Sequence, residues 1–144
     1  MGASSEVSNT NLRKAATFKD FLIKNQENML TMTLSEYLMM LLKQKGLKRA
    51  HVIRNSGLEK AYGFQIFNGE KKPSRDKLIA LAFGMNLNEE ETQRMLKLGG
   101  CSELYPRTER DALILFNIQH GKSIDETESD LYERGLDTLF PRDN

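Results

Sequence analysis

From Leu34 onward, short apolar clusters at helical spacing alternate with breaks at Gly or Ser-Gly. Proline is rare, with 3 in the whole chain, so helices rather than strands are predicted. Leu34, Tyr37, Leu38, Leu41 and Leu42 share one face of a first strongly apolar helix. Thr33-Leu-Ser-Glu36 has the form of a capping box at its start, and Gly46 is a fitting stop. A short helix is predicted from about Lys48 to Asn55 with Val52 and Ile53 inward, then a turn at Ser56-Gly57. Another follows from about Glu59 to Asn68. Ser74 caps a helix reaching about Phe83, and Asn88 caps one that stops at Gly99-Gly100.

Two more helices are predicted beyond. One spans about Arg107 to His120, and its run Ala112 to Phe116 is apolar almost all round, which predicts deep burial. The other begins at a second capping box, Ser123-Ile-Asp-Glu126, carries Ile124, Thr127, Leu131 and Tyr132 and ends at Gly135. Leu136, Leu139 and Phe140 are expected to fold back onto it. Before Leu34, residues 1–16 read as a disordered tail, and residues 17–33 as a helix (Thr17 to about Asn28, with Phe18, Phe21 and Leu22 on one face) plus a connection.

Charge sharpens this picture. Residues 43–77 hold ten basic against three acidic side chains, a net +7. Residues 78–144 hold seven basic against thirteen acidic, a net −6, and residues 1–42 are balanced. A basic block in an otherwise acidic chain suggests an anionic partner for that block, although chance clustering on a solvated surface has the same signature. Cys101 is alone, and no apolar run approaches a membrane span, so a reducing, cytoplasmic setting is expected. His51 and His120 lack a metal-ligand spacing, and Met39, Met40, Met85 and Met95 read as core filling. No phosphate loop, nucleophile elbow or paired ligand motif is present, so no catalytic residue, cofactor or metal is expected and the chain does not read as an enzyme.

The informative stretch runs from Leu47 to Pro73. Leu47, Val52, Gly57, Leu58, Ile66, Gly69 and Pro73, with Leu78, Ile79, Leu81 and Ala82 behind, resemble the Xre or phage-repressor type of helix-turn-helix. The resemblance covers residues 34–87. The block Tyr62 to Gly69, with Pro73 to Ile79 and segments like Leu104 to Arg107 and Arg110-Asp111, is similar to a narrower set of small regulators of Gram-positive bacteria. The resemblance implies an all-α, phage-repressor-like core with further C-terminal helices, residues 88–144, packed on it. It also implies a double-stranded DNA partner and, commonly, a homodimer, for which the C-terminal helices would be the contact or else a buttress.

On that resemblance the helix over about 59–68 enters the major groove. Lys60, Ala61 and Gln65 match base-facing positions, because Gln pairs in bidentate fashion with adenine and Lys reads guanine. Arg49, Asn68, Lys71, Lys72 and Arg75 would flank the phosphates. The sequence departs from the pattern at Arg49, where Gln is common, at Gly63, where an apolar residue is usual, and at Phe67, where Glu is common. Gly63 is expected to make room for a large neighbour such as Tyr37 or a C-terminal aromatic. Tyr62 is expected inward. Phe64 has three readings open to it, as core, as thymine contact or, with Phe67, as a protein-docking patch. The last of these belongs to the alternative function, an interaction module such as an antitoxin or adaptor built on the same fold.

Overall fold

The computed structural model describes residues 17, 18 and 32–141. They fall in two compact units, Met1–Met32 and Thr33–Asn144. Of the first, Thr17, Phe18 and Met32 are described, Phe18 in helical backbone and exposed. The tail expected over 1–16 and nearly all of the helix expected from Thr17 to Asn28 lie outside the described residues.

The second unit is all-helical among the described residues: α1 (Leu34–Lys45), α2 (Arg49–Asn55), α3 (Lys60–Phe67), α4 (Arg75–Gly84), α5 (Glu89–Leu98), α6 (Glu109–Gln119) and α7 (Ile124–Glu133). Each of the seven follows a segment read as helical from the spacing. None of the described helices is long and apolar enough to cross a membrane.

The starts of α1, α4, α5 and α7 are set by side chains that satisfy free backbone N–H groups. Thr33 Oγ1 accepts from the Glu36 amide at 3.1 Å, and Glu36 Oε1 accepts from the Thr33 amide at 2.8 Å. Ser123 and Glu126 make the same reciprocal pair on α7. Asn88 and Glu91 do so on α5, a full capping box where the sequence reading expected only an Asn cap. Gly46 closes α1 in the left-handed region at φ 65°.

The central element is α4. Leu78, Ile79, Ala80, Leu81 and Ala82 are all buried, so it is enclosed on every side, packing on α2, α5 and α7. Two glycines bring its neighbours close. A Cβ on Gly84 would collide with Ser56 Oγ and the Val52 carbonyl at the end of α2. One on Gly63 would lie 2.5 Å from Ile53 Cγ2. Gly63 therefore admits Ile53, not Tyr37 or a C-terminal aromatic as expected.

Other expectations also shift. Phe116 is 49% exposed and Tyr132 59%, so the outer sides of α6 and α7 are not enclosed. Met85 and Met95 are core, whereas Met39 is exposed. Leu139 is buried as expected of the tail, but Phe140 reaches past α7: its Cε2 lies 3.4 Å from where a Cβ on Gly57 would be, and Lys77 Nζ sits 4.4 Å from its ring centre. Glu128 holds this tail by accepting from the Leu139 and Phe140 amides, at 2.6 and 3.2 Å.

Candidate nucleic-acid interface

The α2–α3 pair is joined through residues 56–59, and its sharp reversal falls at Gly57, φ 74°. That angle is cheap only for glycine. Ser56 is fully buried and donates to the Val52 carbonyl at 2.7 Å, which finishes α2 without an orphaned hydroxyl. On α3, Gly63, Ile66 and Phe67 face the core, Lys60 and Ala61 are exposed, and Gln65, Tyr62 and Phe64 are half-buried. The α3 helix packs on α2 and α1, and Ser35 on α1 donates its hydroxyl to the Phe67 carbonyl.

Arg49, the first residue of α2, lies across the flank of α3. Its Nη1 donates to Asn68 Oδ1 at 3.1 Å, its guanidinium carbon is 5.4 Å from the Phe64 ring centre, and Asn68 Nδ2 donates in turn to Glu70. Phe64 is thus partly covered by a cation stacked on its face, an arrangement that stabilises both. Phe67 is 1% exposed and offers no surface, so the docking patch of Phe64 with Phe67 does not exist as a pair. Tyr62 is only partly inward, lining a cleft at the foot of α3 with Glu59, Gln65 and Lys77. Glu59 is the residue before α3, but its carboxylate caps nothing.

Asn68, Lys71 and Lys72 converge on a second cleft of about 590 Å³, closed by the first turn of α1 and by residues 98–100. Lys71 and Lys72 are exposed. Among the described residues the ion pairs are Lys45–Glu91, Arg75–Asp111, Lys97–Glu103, Arg110–Asp76, Lys122–Asp130 and Arg134–Glu109. None of them takes a cation from residues 48–72. Lys48, Arg54, Lys60, Lys71 and Lys72 stand in solvent with their charge uncompensated by a close carboxylate.

Arg75 is employed elsewhere. Its Nη2 meets Asp111 Oδ2 at 2.7 Å, its Nη1 meets Oδ1 at 3.2 Å, and it also donates to the Ser102 and Glu103 carbonyls. It therefore braces α4 against the start of α6 rather than pointing with Lys71 and Lys72. The neighbouring residues repeat the arrangement in reverse: Arg110 on α6 pairs with Asp76 on α4, at 3.1 and 3.2 Å, and donates to the Asp137 and Thr138 carbonyls. Each helix carries an Arg-Asp step in its first turn, and the arginine of each pairs with the aspartate of the other. Burial pushes the Asp111 carboxyl up, but the Arg75 hydrogen bond, the Tyr105 amide and the charges of Arg75 and Arg110 outweigh it and hold the group below its ordinary value. Only the paired Arg-Asp steps at 75–76 and 110–111 hinted at this in the sequence, and charge type alone does not name a partner.

No group of three or more His, Cys, Asp and Glu side chains among the described residues could hold a metal. Comparison with protein-family models, curated proteins and solved structures finds no match to this chain.

Proposed function

We propose that this chain is a sequence-specific DNA-binding regulator whose α2 and α3 act as a phage-repressor-like helix-turn-helix, with α3 in the major groove. The observation that carries the reading is the division of α3. Its inner side is apolar, its exposed start offers Lys60 and Ala61 with Gln65 one turn on, and the cations beside it at Lys48, Lys71 and Lys72 have no carboxylate partner. Gln65 and Lys60 would read base edges, and Lys71 and Lys72 would neutralise phosphates across the cleft they line. Arg49, held against Phe64 and Asn68, would present its remaining donors to a phosphate with little loss of freedom. The burial of Phe67 takes one of the two aromatics out of the protein-docking patch, while Phe64 stays half-buried under Arg49.

Selection of bound duplexes from a random library at two salt concentrations tests the reading. Enrichment of a motif supports it, and uniform, salt-sensitive binding with no enriched motif overturns it. Two substitutions then separate the roles. Gln65→Ala is expected to cost about 1–3 kcal/mol on the selected site and to relax preference at one base pair; equal loss on every sequence contradicts a reading role. Lys72→Ala is expected to weaken binding on all sequences and to reduce the salt slope by about one unit. An unchanged slope removes Lys72 from the phosphate contacts.

A further inference from the structure

We propose that Glu59 is a specificity-determining residue of this interface, its carboxylate accepting a hydrogen bond from the exocyclic amino group of a cytosine in the major groove. The inference deepens the DNA reading and rests on it.

Residues 43–77 carry three carboxylates among ten cations. Two of the three are engaged. Asp76 pairs with Arg110, and Glu70 accepts from Asn68 Nδ2 at 3.2 Å. The side chain of Glu59 takes part in no hydrogen bond or ion pair among the described residues. Its backbone, by contrast, is fixed. It is extended, with φ −61° and ψ 138°, and its carbonyl accepts from the Gly63 amide at 2.9 Å, in the first turn of α3. Thr33, Ser74, Asn88 and Ser123 hold the corresponding place on α1, α4, α5 and α7, and each uses a side-chain oxygen to cap its own helix. Glu59 keeps both carboxylate oxygens for something else. It is exposed, next to the exposed Lys60 and Ala61, at the end of α3 that leads into the groove.

An ionised carboxylate only accepts hydrogen bonds. In the major groove guanine offers N7 and O6, both acceptors, and thymine offers O4 and a methyl group. Adenine offers an amino group with the N7 acceptor beside it, so a carboxylate meets a donor and a repelling lone pair together. Cytosine presents its amino group alone and is the base a carboxylate distinguishes. The same charge is repelled by phosphates. Where no cytosine amino group meets it, Glu59 opposes binding, so it acts against wrong sequences as well as for the right one. Glu59, Tyr62 and Gln65 border one cleft at the foot of α3. Six residues of helix rise about 9 Å, so Glu59 and Gln65 address separate base pairs.

Selection from a random duplex library with the native chain, Glu59→Ala and Glu59→Gln tests the proposal. The native motif is expected to contain one position where cytosine is preferred and where Glu59→Ala lowers that preference by about fivefold to tenfold, the scale of one base-edge hydrogen bond. Preference at the other positions is expected to stay. Glu59→Ala is also expected to bind unselected duplex more tightly than the native chain, because a repelling charge is gone. Glu59→Gln is expected to admit adenine at the same position, since an amide pairs with adenine in bidentate fashion. If Glu59→Ala loses helical signal, Glu59→Gln carries the test, because it keeps the shape of the side chain. A motif unchanged in both variants overturns the proposal and leaves the DNA reading standing; a lower melting temperature with that unchanged motif marks Glu59 as a helix-start charge only. Preference lost evenly at every position overturns the proposal as well. A native chain that selects no motif overturns the DNA reading and this proposal together.

Discussion

Gly63 stands in the middle of α3, where helix propensity alone favours alanine by about 1 kcal/mol. Ile53 reverses that preference, because its Cγ2 and Cγ1 lie 2.5 and 2.7 Å from where the alanine methyl would go. Gly63→Ala is therefore expected to destabilise the fold by about 1–3 kcal/mol, the usual cost of overpacking. Thermal melting checks this, and a variant melting at or above the native chain contradicts it. Pairing Gly63→Ala with Ile53→Ala is expected to cost less than the sum of the two single changes, since the second removes the atoms that the first meets. The sequence announces that something large crowds Gly63 but not what: a glycine marks a close approach without naming the partner, and Ile53 lies in the preceding helix rather than among the aromatics.

At the scale of elements, the exchanged Arg75–Asp111 and Arg110–Asp76 pairs fix the start of α4 against the start of α6. Asp111 is titrated below its ordinary value in the folded chain. A carboxyl with a lowered folded pKa adds stability above its unfolded value, about 3.9, and loses it as pH falls through that value and then through the lower folded one. Asp111→Asn is accordingly expected to cost on the order of 3 kcal/mol near neutral pH, because the half-buried guanidinium keeps its place without its counter-charge. The gap from the native chain is expected to narrow below about pH 4. Urea unfolding at a series of pH values measures both, and a gap constant with pH contradicts the account. Helix starts and stops were legible in the sequence because caps are local: Thr33, Ser74, Asn88 and Ser123 lie within four residues of what they satisfy. The bracing role of Arg75 was not legible, since its partner is 36 residues away. Nor was the exposure of Phe116 and Tyr132, because apolar content shows that a helix has a buried side, not how far round the burial extends.

Over the whole molecule, the uncompensated cations gather around α2 and α3 while the acidic excess lies in residues 78–144, yet both halves share one core through α4. The tail after α7 adds a second bond between them by covering the α2–α3 turn. Leu139→Ala is expected to destabilise the fold by about 2–5 kcal/mol. Phe140→Ala is expected to cost less overall but to speed amide hydrogen exchange selectively at Gly57 and Leu58. Exchange that rises evenly across the chain contradicts a local role for that ring.

The seat of Phe140 also has a magnetic consequence. An aromatic ring displaces the resonances of protons held near it, and here the Lys77 side chain lies over the ring while Gly57 abuts its edge. The Lys77 ε-methylene protons are expected to be shielded, and the Gly57 α-protons shifted, as long as the tail is docked. An unlabelled proton spectrum thus carries a built-in gauge of the turn, readable in the same sample before and after DNA is added.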